Sequence, residues 1–398
     1  LFALEYASEN PGAETADAIL TLTVSREQEA WQNLEVRGIN EGALLVRDGK
    51  LVAWLDAADA DNLELVINND EISINGPIQA GKSSRCFLYA PGWPVEVDHY
   101  RAIKRGEGLF DAAKSNWDGA RSEAGSVDLP DAELTDIIRA SLIHCLMATR
   151  NECDASHFIP WCAATIYGPI DTEPHSLILG CAEWGLDTFA RRSLNFFVSK
   201  YTAQGFLTHG YTVVGTGQHL WTLGRIFELN ANRVWLIRIA PEVSRACQWI
   251  AGQTARTRRL DARLNKIPEY GLVPPGVAAD WNVFAYRFYN QSYFYAGLRG
   301  AAEALSALGV PGSRQMLEDA RDLRGDILTA YARSRDLCPV RPLSNGSWVR
   351  TMPSTVYAHG RTEDYYPGED GARSWAGDVE IGAHHLAAQG ILKADNPA

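Results

Sequence analysis

The sequence predicts a mainly α fold in which an array of helical hairpins follows a small antiparallel β domain, and three observations carry that prediction. Up to about residue 100 the apolar residues fall in short runs with the two-residue period of a strand. After Pro130 the period changes to that of a helix. Gly or Pro then punctuates nearly every gap between helices, and several gaps are short, which favours antiparallel neighbours.

In the first part, "ADAILTLTVS", "GALLVRDGKLVAWLD" and "NLELVINND" read as strands, with Asp48-Gly49 as a hairpin turn. Residues 1–100 are therefore expected to form an antiparallel sheet folded as a sandwich, whose first strands start abruptly, as though the chain began partway into such a domain. Residues 101–129, including "SNWDGARSEAGSVDLP", have the composition of a linker. The helical-hairpin domain is expected over 130–398. Its first helix, "DAELTDIIRASLIHCLMATR", places Leu134, Ile137, Ile138, Leu142 and Cys145 at helical spacing, with Asp131 as N-cap and Glu133 in the first turn. Further helices are expected near 174–184, 186–202, 217–229, 232–253, 282–308, 312–334 and 372–388. Phe189, Leu194, Phe197 and Val198 share one helix face, as do Met316, Leu323, Ile327 and Leu328. No strand signal of comparable strength returns after residue 130.

Composition narrows the class of partner. The 398 residues are 46% hydrophobic and 22% charged, ordinary for a globular chain, with net charge −12 and pI near 5.3. No Lys/Arg block is present, which argues against nucleic acid or an anionic membrane surface as partner. No apolar run is long enough to cross a bilayer and no signal peptide is visible. The seven cysteines lack metal-like spacing, and their odd number favours a reducing compartment such as the cytoplasm. The chain starts at Leu1 without a Met, so a segment before it is expected to be missing. Twelve Trp and fifteen Tyr supply flat surfaces suited equally to an all-α core and to stacking on sugar rings.

The long connections stand out. "WCAATIYGPIDTEPH", "GFLTHGYTVVGTGQHLW", "IPEYGLVPPGVAADW" and the stretch from Cys338 to Trp375 combine Gly, Pro, aromatics and polar groups. Long ordered loops between helices usually carry function. They hold four groups: Asp171, Glu173 and His175; Gln218, His219 and Trp221; Asp280 and Trp281 followed by Asn290 and Gln291; and Glu363 and Asp364 with Glu369 and Asp370. All lie near expected helix starts, so a capping or packing role stands beside a chemical one for each.

Rival chemistry is weak. "TVVGTGQH" follows no βαβ unit, "IQAGKSS" lacks the first Gly of a phosphate loop, Gly-x-Ser-x-Gly is absent, and His384 and His385 are adjacent and so expected on different helix faces, without the i, i+4 spacing of a metal pair. No metal or organic cofactor is expected. Carboxylates flanked by Trp, Tyr, His, Asn and Gln are the inventory that glycoside cleavage needs: one protonated acid, one carboxylate, and groups to hold the rings.

With its sandwich-like start, the hinge through "SNWD", and "GTGQHLW" and "YGLVPPGVAADW" opening helices, the sequence resembles the six-hairpin glycosidases. That resemblance implies an (α/α)6 toroid over roughly 270 residues, preceded by a β-sandwich and a linker. About eight helices are expected here where a complete toroid has twelve. It implies hydrolysis of a neutral oligosaccharide or glycoside; the family's acid and base motifs do not map onto this chain, and position and chemistry put Asp280 as the expected general acid with Glu173, Glu363 or Asp364 as its partner. Trp161, Tyr167, His175, Gln218, His219, Trp221, Trp281, Gln291, Arg361 and Tyr365 are the expected sugar contacts. Two alternatives stay open: a disaccharide phosphorylase, with Arg361, Arg373 and His359 as phosphate contacts, and a non-catalytic carbohydrate-binding protein on a degenerate toroid.

Overall fold

The computed structural model describes residues 2–23, 33–60, 63–68, 71–92, 94–102, 108–152, 157–161, 168–209, 212–278, 281–357, 359 and 382–393. The chain divides into two compact units, Leu1–Ala120 and Arg121–Ala398.

The first unit holds β1 (Phe2–Glu9), β2 (Ala16–Thr23), β3 (Leu34–Ile39), β4 (Gly42–Arg47), β5 (Lys50–Asp56), β6 (Glu64–Asn68), β7 (Glu71–Ile78), β8 (Ser83–Ala90) and β9 (Val95–Glu96). One sheet runs β1-β8-β5-β4-β3 with β9 paired to β5, the other runs β2-β7-β6, and neighbours are antiparallel. Ala43, Leu55 and Cys86 from the first sheet pack with Ile72 and Ile74 from the second, which makes the expected sandwich. The other face of the first sheet is also buried: Leu44, Val46, Leu51, Trp54 and Tyr89 cluster with Tyr100 of the 3-10 turn Val97–Ala102. A strand buried on both faces loses its polar alternation, which is why "GALLV" reads as a run. Asp48 and Gly49 turn the β4–β5 hairpin with φ of 50° and 76°, the left-handed pair that a two-residue turn of this hand requires. The stretch read as a linker contains α1 (Gly108–Ser122).

The second unit contains α2 (Ala132–Met147), α3 (Glu173–Glu183), α4 (Asp187–Val198), α5 (Gly215–Asn230), α6 (Arg233–Thr257), α7 (Phe288–Ala307), α8 (Ser313–Asp336) and α9 (His384–Ala388). Asp131 caps α2 as expected, accepting from the Leu134 amide at 3.1 Å. Leu194, Phe197, Met316, Leu323 and Ile327 are buried, also as expected. Of the apolar residues at helical spacing, Leu134 and Ile137 are exposed; Thr135 and Leu142 mark the buried side of α2.

Consecutive helices form hairpins, and α3, α5, α7 and α9 sit in a row, each packed on the next. Alignment within the row is set by glycine. A Cβ on Gly297 would lie 2.2 Å from the Gly217 carbonyl oxygen, and one on Gly224 would lie 2.7 Å from the Gly300 carbonyl carbon. Residues early in α5 thus meet residues early in α7, and later ones meet later ones, so the two helices run parallel with their N-termini at the same end. The first turn of α5 is buried throughout, and burial continues on most of its faces beyond it.

The helix expected over 282–308 is corrected by the structure. Trp281–Ala285 form β13, paired with β12 (Gly276–Ala278), and α7 starts only at Phe288. Two further hairpins follow the same rule, β10 (Thr149–Glu152) with β11 (His157–Pro160) and β14 (Val340–Pro342) with β15 (Trp348–Arg350). Strands of three to five residues span too few side chains to show a period in sequence. Of the helix expected over 372–388, residues 384–388 are helical, and 372–381 lie outside the described residues.

Gly297→Ala should cost about 1–3 kcal/mol by pushing α7 off α5. Gly252→Ala, on a face of α6 with no atom within 4 Å of the new Cβ, should gain about 0.5–1 kcal/mol from helix propensity. Urea denaturation of the two variants beside the parent checks both signs.

Candidate functional site

Five consecutive residues at the start of α5 make five different tertiary links. Gly215 leaves room for Asp171: a Cβ there would lie 2.2 Å from Asp171 Oδ2. Thr216 Oγ1 accepts from the Leu207 amide at 3.1 Å. Gly217 admits the backbone of Tyr293 and Phe294, 2.8 Å from the position of its missing Cβ. Gln218 donates through Nε2 to the Tyr289 hydroxyl at 2.8 Å. His219 shares a hydrogen bond through Nδ1 with the Tyr201 hydroxyl. The motif "GTGQH" is thus a junction for α3, α5 and α7.

The lead-in to α3 is stiffened by buried Pro169 and by Pro174 in the first helical turn, with Gly168 at φ 56°. Along it the side chains sort by burial. Asp171 is 1% exposed and accepts from Thr212 Oγ1 at 3.0 Å through Oδ2, while Oδ1 has no hydrogen-bond partner. Burial pushes this carboxyl up to about 7, and nearby Glu173 adds to the shift against the Thr212 hydrogen bond. Glu173 is exposed in the first turn of α3, where the helix dipole favours its charge, and the Thr172 hydroxyl donates to it. His175 is 1% exposed, and neither ring nitrogen completes a hydrogen bond.

Behind this rim lies a ring stack. His175 sits 4.7 Å from Phe197 and 5.4 Å from His219, centroid to centroid. Burial pulls His219 down to about 3 and His175 well below its ordinary value, with His219 pushing His175 the same way. Both are neutral near pH 7 and sealed from solvent, so the sugar-contact role expected for them is replaced by packing against Phe197 and, for His219, Tyr201.

The third contribution comes from α7 and α9. Tyr289 and Tyr293, one turn apart on α7, both pack against His385 of α9, at 4.7 and 5.7 Å. Burial raises the pKa of both phenols, and Glu173 lies close enough to add to the shift at Tyr289. Gln291 holds the preceding loop, accepting from the Val273 amide at 3.0 Å and donating to the Val273 carbonyl at 2.9 Å. It is 1% exposed with both ends engaged, so it shapes the site from behind and does not contact sugar as expected. Trp221 lies edge-to-face with Tyr293 at 5.3 Å and lines an open groove of about 240 Å³ with Arg225, Glu228 and Arg299.

Glu173 and Gln218 therefore meet near Tyr289, where α3, α5 and α7 begin, while Trp221 faces the groove further along α5 and α7. Trp161 follows β11, half-buried beneath the Arg150 guanidinium at 5.4 Å. Trp281 lies within β13, so it does not open a helix. Asp280, Glu363, Asp364, Arg361, Tyr365 and Tyr167 lie outside the described residues. Sequence reasoning passed over Tyr289, Tyr293 and His385. The i, i+4 spacing in "YNQSY" was a usable signal, since it puts both phenols on one helix face. His384 and His385, expected on different faces, have rings 4.1 Å apart, because α9 is one short turn and its first side chains fold over each other. Among the described residues no group of three or more His, Cys, Asp or Glu side chains gathers as a metal site, and no helix is long and apolar enough to cross a membrane.

No family model and no curated protein matches the sequence. Among solved structures, the fold is similar to a bacterial glucoamylase complexed with acarbose, at 12% identity over 80% of this chain and 50% of that one, with a TM-score of 0.49. It is also similar to a family GH92 inverting mannosidase from Bacteroides thetaiotaomicron, at 10% identity over 87% and 63% of the two chains, TM-score 0.34. A further GH92 glycosyl hydrolase is 11% identical over 97% of this chain and 52% of its own, TM-score 0.36. The chain thus spans 50% to 63% of the length of these structures. The class that the elements themselves define is an α-helical hairpin array following an antiparallel β-sandwich.

The buried groups fix a pH dependence. For each histidine the folded pKa is depressed, so below about 6.5 the unfolded chain takes a proton that the folded one refuses, and stability falls by ~1.4 kcal/mol per pH unit. Asp171, raised to about 7, works in the opposite sense: between its ordinary value near 3.8 and 7 only the folded chain holds the proton, so stability falls as pH rises. His175→Phe should therefore flatten the stability-versus-pH curve below about pH 6.5, and Asp171→Asn should steepen it between about pH 4 and 7. Denaturant melts across this range measure both slopes.

Proposed function

We propose that this chain is the sugar-binding and catalytic face of a glycoside hydrolase acting on a neutral oligosaccharide or glycoside by carboxylate acid/base chemistry. The observation that carries the reading is convergence. The starts of α3, α5, α7 and α9 bring an exposed carboxylate (Glu173), an amide (Gln218), two phenols (Tyr289 and Tyr293) and an imidazole (His385) to one rim, linked through Gln218–Tyr289 and Tyr289–His385. Hydroxyl-rich, uncharged ligands are held by this mixture of donors, acceptors and ring faces.

In this reading Asp280 is the general acid, and Glu173, with Glu363 and Asp364 as rivals, activates water or attacks the anomeric carbon. The separation of the two carboxyl groups sets the stereochemical outcome, roughly 6.5–9.5 Å for inversion and about 5 Å for retention. Trp161, Tyr167, Trp221 and Trp281 line the subsites, and Arg361 and Tyr365 complete them. Glu173 is favoured as the partner because its carboxylate is exposed at a helix start and within electrostatic reach of Tyr289.

Aryl glycosides and oligosaccharides of neutral hexoses, assayed for released reducing sugar, test the reading. Glu173→Gln and Asp280→Asn should each lower kcat by about 10²–10⁴-fold while circular dichroism stays that of the parent. Unchanged turnover in both variants would overturn the assignment of these carboxylates. Sugar binding by calorimetry with no product from the parent would replace the enzyme reading with a carbohydrate-binding one.

A further inference from the structure

We propose that Asp171 is a positioning residue for Glu173, a carboxyl clip that fastens the α3 lead-in to the start of α5 and fixes the place and charge of the exposed carboxylate two residues on. The inference rests on the reading of this rim as a glycosidase site, and three observations support it. First, Asp171 joins the two elements directly: Thr212, just before α5, donates to Oδ2 at 3.0 Å, and a Cβ on Gly215 would collide with the same oxygen. Second, between Asp171 and Glu173 stands only Thr172, whose hydroxyl donates to the Glu173 carboxylate, and Pro174 follows within the first helical turn. The segment between clip and carboxylate therefore has little freedom of its own. Third, Asp171 Oδ1 is buried without a hydrogen-bond partner. A buried, unpartnered carboxylate oxygen is costly when charged and far less so when the carboxyl is protonated.

The surroundings agree with a protonated clip. Burial holds the Asp171 carboxyl up near 7, with Glu173 acting in the same direction. The titratable groups around it do not compensate. His175, on the same segment, and His219, on α5, are neutral by burial, and Tyr289 on α7 is kept in its phenol form. Glu173 lies close enough to add to the upward shift at Asp171, so the charge that appears on the clip as pH rises past the Asp171 titration acts on Glu173 in turn. Asp171 itself touches no substrate in this scheme; it acts through Glu173.

Carboxyl-selective ¹³C NMR titration of the intact chain tests the coupling without any substrate, with Asp171→Asn and Glu173→Gln used to assign the two resonances. One carboxyl should titrate near neutrality and vanish in Asp171→Asn, and the Glu173 resonance should show a second displacement over the same pH interval that is lost with it. In Glu173→Gln the Asp171 titration should move to lower pH. A Glu173 resonance identical in parent and Asp171→Asn would overturn the proposal, as would an Asp171 curve unmoved by Glu173→Gln. Asparagine keeps the shape and can still accept from Thr212, and its melting temperature within a few degrees of the parent shows that the fold survives.

Kinetics on an aryl glycoside supply the second readout. Asp171→Asn should abolish the pH limb near 7, and Asp171→Ala should lower kcat at least tenfold while changing KM less than threefold. A pH profile that keeps that limb in Asp171→Asn would reduce Asp171 to a structural residue. If the parent turns over no glycoside, the enzyme reading fails, and the NMR coupling still decides whether Asp171 positions Glu173.

Discussion

The described helical unit depends on the close contact of α5 with α7. Where most helix pairs are held about 8–10 Å apart by side chains, here Gly217 and Gly224 face Gly297 and Gly300, and backbone meets backbone. Glycine costs helix stability at each of these positions, and the fold accepts that cost at several points along one interface. What it gains is alignment. Two parallel helix starts are brought side by side, and Gln218 reaches Tyr289 across the same contact.

That alignment also sets the electrostatics of the rim. Groups turned toward the packed side are held in neutral states, because low-dielectric surroundings penalise charge: Asp171 toward its protonated form, His175 and His219 toward free imidazole. Glu173, by contrast, is the carboxyl that reaches water. Within "DTEPH" only Glu173 is exposed, between buried Asp171 and Thr172 on one side and buried Pro174 and His175 on the other, and Pro169 and Pro174 stiffen the stretch. A rim built this way presents one carboxylate against phenols, an amide and an imidazole, with a stiff and largely uncharged layer behind it.

Much of the local structure was legible because it is written in short-range chemistry. Asp48-Gly49 needs left-handed backbone, Asp131 has an unpaired helix amide to accept from, and the apolar stripes of α4 and α8 repeat at helical period. The β13 strand was not legible, since five residues before a helix give no period of their own and its pairing partner is supplied by β12. Nor were the fates of His175, His219 and Gln291. Each looked like a polar group awaiting a ligand, and each is consumed by a neighbour from another part of the chain: Phe197, Tyr201 and Val273 respectively.

The sequence by itself determined that a strand-rich part precedes a helical one, the change from a two-residue to a helical period near residue 130, and the crowding of carboxylates, amides and rings into loops before helices. Those properties follow from local periodicity and from backbone preferences of Gly, Pro and Asp, which act over a few residues. Tertiary structure decided which of those loop groups face water and which are sealed, and that Tyr289, Tyr293 and His385 join the rim. The reason is that burial is a property of contacts between distant segments: a glycine in α5 acquires its meaning only from the aspartate of the α3 lead-in and the backbone of α7 that it lets in.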